Sequence, residues 1–337
     1  MKALAIQGAF GLENLAVAER PDPEPGPGQV LVGMRAAGLN YRDLLTVLGR
    51  YNPKQPLPLI PCSDGSGEVL AVGEGVSRVQ VGDHVLPTFA QRWVSGEPTR
   101  EKVRSTLGGP LDGTLAERMV LGEDGLVRAP SHLSHEQAAT LACAGLTAWS
   151  AVVTEGRVQP GEVVVVQGTG GVSLFALQIA QLAGARVIAT SSSEEKLERA
   201  RALGAWQTIH YPSTPAWGSR VKELTGGRGA DLVVEVGGAG TLGQSVAALR
   251  FGGTIALVGN LAGNALELNL TSLFMQRMRL QGILVGDREA FEALVRAFEH
   301  HRLEPVLDRS FPWLEARAAF EHLGSGRHFG KVTLSFD

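Results

Sequence analysis

The chain has 337 residues, enough for about two domains, and 31 Lys+Arg against 34 Asp+Glu leave a formal charge of −3, which gives no support to a polyanion partner. Glycine is the outlier at 43 residues, nearly 13% against a usual share of about 7%; with 17 Pro and no G-X-Y period, collagen and low-complexity disorder are excluded. Two cysteines, Cys62 and Cys143, can build neither a disulfide framework nor a four-cysteine zinc lobe.

The N-terminal run Met1 to Ile6 is strand-like and lacks the basic start, apolar stretch and cleavage site of a signal peptide. Nothing approaches ~18 uninterrupted apolar residues. A reduced, cytoplasmic protein with no membrane or nucleic-acid partner is expected. Through about residue 125 the chain reads as short strands between turns. Pro21 to Gly28 is too rich in proline for helix, Gln29 to Ala36 is extended, and Glu68 to Val76 and Val81 to Val85 add strands, so an all-β lobe is expected. Phe89 to Gly113 turns polar and Gly/Pro-dotted, which reads as a surface excursion.

The pattern changes at Ser131. Ser134 with Gln137 is a capping-box signal for a helix through about Val153. Strands are then predicted at Val163 to Gln167, Arg186 to Thr190, Gln207 to Tyr211, Asp231 to Val236, Thr254 to Val258 and Leu280 to Val285. Helices are predicted at Val172 to Ala183 and Glu194 to Leu203. Val163 to Val166 and Leu232 to Val234 do not alternate, as expected of strands covered on both faces in a parallel α/β sheet. Helices at Glu289 to Glu299 and Leu314 to Leu323 and a strand at Lys331 to Phe336 close the chain.

The strongest motif is Val163-Val164-Val165-Val166-Gln167-Gly168-Thr169-Gly170-Gly171-Val172-Ser173: strand, glycine turn, helix start, as in a dinucleotide-binding βαβ unit. Gly168 permits the turn, Gly170 lets backbone approach a pyrophosphate, and the Gly171 and Val172 amides point at it, with Thr169 in the same turn. Ser173 replaces the third fingerprint glycine. The strand ending at Thr190 runs into Ser191-Ser192-Ser193, with no carboxylate before Glu194, and Lys196 follows. Hydroxyls and a cation suit a 2′-phosphate, so NADP(H) is expected, with Ser191, Ser192 and Lys196 as contacts; Ser191 as a helix cap and Lys196 as a surface charge are the alternatives.

The order of parts resembles the medium-chain dehydrogenase/reductase superfamily over essentially the whole chain. The carriers are Pro27 to Val32, Ala36 to Asp43, Val72 to Val76, Val81 to Val85 and Ala144-Gly145-Leu146-Thr147-Ala148-Trp149. The resemblance implies a GroES-like catalytic domain at 1–126 and 287–337, a Rossmann NADP(H)-binding domain at 127–286, an active site in the cleft between them, and a homodimer or homotetramer. It further implies cofactor contacts at Thr147, Tyr211, Asn260, Gly286 and Arg327.

Zinc alcohol dehydrogenases of that superfamily carry a Cys where this chain has Asn40 and a His-Glu pair at Ser63-Asp64, and often a Cys at the position of Cys143. Two of three principal ligands are therefore missing and no metal is expected, with Cys62, Asp64 and Cys143 the residual candidates. Without a Lewis acid, a conjugated acceptor is the easier substrate, because charge spreads to an oxygen that hydrogen-bond donors can hold. The stretch Gly38 to Asp43 resembles the zinc-free quinone oxidoreductases and enoyl reductases, which implies that Asn40 orients substrate or nicotinamide and that Tyr51 contacts substrate and donates a proton. Asn40 as a turn residue, Tyr51 as loop packing and Asp64 as the structural partner of a nearby cation are the alternatives. The expected function is zinc-independent, NADPH-dependent hydride transfer to a small conjugated carbonyl or quinone. A zinc-independent alcohol or aldehyde reductase and a non-catalytic NADPH sensor are the rivals.

Overall fold

The computed structural model describes residues 1–336; Asp337, the last residue of the expected catalytic domain, lies outside the described residues. In chain order the strands are β1 (Lys2–Ile6), β2 (Leu15–Glu19), β3 (Gln29–Gly38), β4 (Asp64–Val72), β5 (His84–Pro87), β6 (Arg118–Gly122) and β7 (Leu126–Arg128). There follow β8 (Val163–Gln167), β9 (Arg186–Ser191), β10 (Gln207–His210), β11 (Ala230–Glu235), β12 (Leu249–Leu257), β13 (Arg279–Gly282), β14 (Leu307–Pro312) and β15 (Lys331–Ser335). The chain forms two compact units, Met1–Leu146 with the chain from Gly286 onward, and Thr147–Val285.

The boundary expected after residue 126 thus falls twenty residues later. β7 pairs with β5, and the helical segment that begins at His135 sends the Cys143 amide to Asp64 on β4, so 127–146 belongs to the first unit. Gly286 falls in the first unit as well.

The first unit is built on a sheet in the order β14-β15-β3-β4-β5-β7, with β6 added to β3, while β1 and β2 pair separately. Its core gathers Leu4, Ile6, Leu39, Val47, Leu59, Phe320 and Leu334. Two expectations change. The lobe is not all-β: Tyr41–Val47 is helical, because Asp43 reaches back to the Asn40 amide at 2.9 Å and Leu44 and Val47 share the buried side. Residues 89–113 are a surface excursion only in part: 95–101 and 110–112 are exposed, but Phe89, Trp93 and Leu107 are buried, and the Arg42 guanidinium, by donating to the Leu107 and Gly109 carbonyls, ties the ends of the stretch to the core.

The second unit holds a wholly parallel sheet in the order β10-β9-β8-β11-β12-β13, which within the unit is 3-2-1-4-5-6, the Rossmann arrangement. All of β8 is buried, as its unbroken valines require. Helices Gly171–Leu182 and Glu194–Ala202 form where expected. Trp217–Leu224, Leu242–Ala248 and Leu270–Met275 are additional helices too short to show a clear apolar period in sequence. The Ser134/Gln137 capping box closes with both reciprocal bonds. The segment it starts, His135–Thr154, has the length and apolarity of a membrane span, yet 72% of its most apolar window is buried inside the protein, as in a core helix.

Candidate functional site

In the first unit Asn40 lies two residues beyond the end of β3, and β15 runs antiparallel to β3 with Thr333 opposite Gly38 and Leu334 opposite Ala37. Continuing that register sets Lys331 across from Asn40. The lysine is only 3% exposed, and its ammonium donates to the Leu39 carbonyl and to Asn40 Oδ1, both at 2.6 Å. Asn40 Nδ2 lies 3.5 Å from Ser63 Oγ, which donates to Asp64 Oδ1 at 2.8 Å, and Asp64 Oδ2 accepts the Cys143 amide at 3.1 Å. Beside this chain, Asp43 takes the Asn40 amide and the Arg42 guanidinium. Burial pushes the Asp43 carboxyl up to about 6 against the pull of Arg42, and raises Asp64 against the pull of Lys331 and of hydrogen bonds from Asn40 and Ser63. A buried lysine is tolerated only when paired in this way. Lys331, Arg42 and Asp43 were not singled out as site residues from sequence; a lysine opening a strand has no local signal of burial.

Tyr51 is 52% exposed, with the Arg42 guanidinium 5.0 Å from its ring centre. Arg42 thereby orders the tyrosine as well as the 107–109 turn.

A catalytic zinc needs three protein ligands and an open position. The donors here do not meet that need. Both Asp64 oxygens are engaged, the Cys62 and Cys143 thiols are driven upward by burial, and an ammonium already occupies the polar cluster. Among the described residues no group of three or more His, Cys, Asp or Glu is arranged to hold a metal. His84 Nε2 and His135 Nδ1 both meet the buried Ser66 hydroxyl, at 2.6 and 2.8 Å, with their rings 4.1 Å apart.

In the second unit the Gly168 turn joins β8 to the helix Gly171–Leu182. Gly168 has φ +70°, and a Cβ at Gly168 or Gly170 would meet nothing within 4 Å. The turn therefore keeps open space in front of a helix N-terminus that has no side-chain cap, a cradle that fits a pyrophosphate. Thr169 is buried, and Val172 lies in the first helical turn beside Gly171. Ser173 is fully used: its hydroxyl donates to the Gln167 carbonyl at 2.6 Å, stitching the helix start to the strand end in place of a bare glycine contact. Gln167 Nε2 crosses the topological switch point to Glu235 Oε2 at 2.7 Å. Glu235, buried at the end of β11, also accepts from the Gly237 and Gly238 amides and the Thr241 hydroxyl.

At the end of β9 Ser191 is buried, its hydroxyl accepting the Ser193 amide, while Ser192 is exposed. Ser193, not Ser191, caps the next helix by accepting the Lys196 amide. Lys196 is half-buried in the first turn of that helix. The Tyr211 amide donates to the Ser191 carbonyl, and its ring is 42% exposed, beside the same loop. His210, missed from sequence, donates to or accepts from Ser213 Oγ and holds the Ser192 carbonyl at 3.0 Å. Asn260 is exposed after β12, and Thr147 is buried at the start of the second unit. Gly286 and the exposed Arg327, whose Nε meets Ser325 Oγ, belong to the first unit.

Comparison with known proteins agrees with both halves of this description. Residues 26–131 match the alcohol dehydrogenase GroES-like domain and residues 171–300 the zinc-binding dehydrogenase domain. A zinc-type alcohol dehydrogenase-like protein of Schizosaccharomyces pombe is 43% identical over 97% of this chain and 96% of its own. A quinone oxidoreductase of Pseudomonas aeruginosa is 33% identical over 99% of each chain. A solved NAD-dependent alcohol dehydrogenase superposes with a TM-score of 0.92 at 39% identity, covering all of both chains. The fold and the glycine turn define a nicotinamide-dependent oxidoreductase. The chain belongs to the medium-chain dehydrogenase/reductase superfamily.

Proposed function

We propose that this enzyme is a zinc-independent, NADPH-dependent reductase that transfers hydride to a small conjugated carbonyl or quinone in a reducing cytoplasm. The observation that carries the reading is the Asn40 amide, held by a buried ammonium in a cluster whose donors do not suit a metal. The reduced nicotinamide, when bound, supplies the hydride. Asn40 then offers an N–H to the oxygen on which charge develops, and a conjugated acceptor needs no stronger electrophile. Tyr51, ordered on Arg42, is the candidate proton donor, and Asp64 fixes Ser63. For the cofactor, the absence of a carboxylate at the end of β9 and the cluster of Ser191, Ser192 and Lys196 favour a 2′-phosphate. We further take the protein to be a homodimer or homotetramer, since Leu270, Phe274 and Met275 are exposed just before the edge strand β13.

The relatives named as alcohol dehydrogenases favour a second reading, alcohol or aldehyde oxidoreduction on the same scaffold. One substrate panel followed at 340 nm separates the readings. The reductase oxidises NADPH with quinones, enones or enoyl thioesters, at a kcat/KM above that for NADH, in protein purified without chelator and carrying no zinc. Reduction of NADP⁺ by simple alcohols with near-stoichiometric zinc overturns it in favour of the alcohol dehydrogenase. Tight NADPH binding without turnover on any acceptor leaves a sensor instead.

A further inference from the structure

We propose that Lys331 is the positioning residue of the reaction, its ammonium setting the Asn40 amide so that the N–H end, not the carbonyl, is presented to the reacting oxygen. The inference rests on the reading of Asn40 given above and extends it to a residue at the far end of the chain.

An asparagine amide has a donor end and an acceptor end of the same shape, and only its partners decide which way it faces. Lys331 Nζ carries donors alone, so at 2.6 Å it can meet only Asn40 Oδ1. Nδ2 is thereby turned away from the lysine. It faces Ser63 Oγ at 3.5 Å, the limit of a hydrogen bond, and the Asp64 carboxylate on the same side, which engages one of its two N–H groups and leaves the other as spare donor capacity. Ser63 spends its own hydrogen on Asp64, which leaves it an acceptor and keeps the polarity of the chain unbroken: Lys331 to Asn40, Asn40 to Ser63, Ser63 to Asp64. The backbone fixes the same atoms, with the Asn40 amide on Asp43 and the Leu39 carbonyl on Lys331.

The electrostatics point the same way. Asp43 and Asp64 are both fully buried, and Lys331 and Arg42 are the cations that oppose them. In a site whose donors do not fit zinc, the positive charge comes from the protein itself, and Asn40 carries its influence to the substrate as a polarised N–H. Held on both sides, the amide needs no reorganisation when charge develops on the acceptor.

The test is a cycle of Lys331→Met, Asn40→Ala and the double variant, with Lys331→Arg as the conservative rescue. Lys331→Met is expected to lower kcat by about 100-fold while the NADPH Kd moves less than about 3-fold, and Lys331→Arg to recover most of the loss. Because the lysine acts through Asn40, the double variant is expected within about 3-fold of Asn40→Ala alone. Independent losses that multiply, or a loss confined to NADPH affinity, overturn the proposal. A readout free of turnover covers the case in which the proposed reaction, and not the positioning, is wrong. The Asn40 side-chain amide signals in ¹H–¹⁵N spectra, assigned by their disappearance in Asn40→Asp, should shift in Lys331→Met and stay in Lys331→Arg. Unchanged signals in Lys331→Met overturn the positioning even if the enzyme reduces quinones; shifted signals support it even if the enzyme proves to be an alcohol dehydrogenase. Should Lys331→Met not fold, Lys331→Arg and Asn40→Asp carry the test: kcat must survive in the first and fall in the second.

Discussion

Ser66 has one hydroxyl hydrogen and two imidazole neighbours, so it donates to one ring and accepts from the other, and the tautomers of His84 and His135 are tied together. Burial and the adjacent His135 push His84 down to about 4 from the usual 6.5, while Glu68 pulls the other way. The folded state therefore binds fewer protons than the unfolded chain between pH 6.5 and 4, and stability falls as pH is lowered through that window. Denaturant unfolding at pH 7 and pH 4.5 should show the wild type losing on the order of 1–2 kcal/mol more than His84→Gln, allowing for solvent screening. Equal losses would show that His84 does not carry the effect. The same scale explains Ser173: in sequence it is a departure from the glycine fingerprint, and in the fold its hydroxyl supplies a hydrogen bond that glycine cannot.

Among elements, the turn from β8 into the helix Gly171–Leu182 separates what folding demands from what the ligand demands. Gly168 needs its positive φ, but Gly170 has ordinary backbone angles and open space where a Cβ would stand. Gly170→Ala is thus expected to leave the melting temperature unchanged or slightly raised, yet to weaken NADPH binding by about 10-fold or more, as read by fluorescence titration. Unaltered binding would remove the pyrophosphate from this turn. The glycines at Gly237, Gly238, Gly240 and Gly259 invite the same reading in sequence, but there a Cβ would strike Thr241, the Gly263 carbonyl, Ala262 and the Val236 carbonyl. Close packing between the loops after β11 and β12 calls for them, with Glu235 drawing the first loop inward. Glycine content alone could not tell a ligand cradle from a tight protein contact.

At the scale of the whole molecule, the parallel sheet ends at β13, and Leu270, Phe274 and Met275 stand 68%, 64% and 65% exposed just before it. Such an edge beside apolar side chains is a liability for a lone chain. Phe274→Asp should shift sedimentation from dimer or tetramer toward monomer while leaving the fold intact by circular dichroism; an unchanged assembly would place the interface elsewhere. That the sheet is parallel follows from the alternating strand and helix pattern and was legible in the sequence, whereas the strand order that puts β13 at the edge was decided by the fold.

What the sequence determined by itself is whatever is written in contiguous residues. The valine run, the glycine turn and the helix after it declare a dinucleotide unit because strand period, turn chemistry and helix start are all local. Asn40, Tyr51 and Asp64 were named through the family resemblance that short motifs carry. Tertiary structure decided what those residues touch. Lys331 reaches Asn40 across 291 positions, and Gln167 reaches Glu235 across 68, through strand pairings that leave no mark on the intervening chain. Nothing in the local sequence marks Phe89, Trp93 and Leu107 within a polar run, or the lysine opening β15, as buried, because polarity is local whereas burial is a property of what the rest of the fold brings against them.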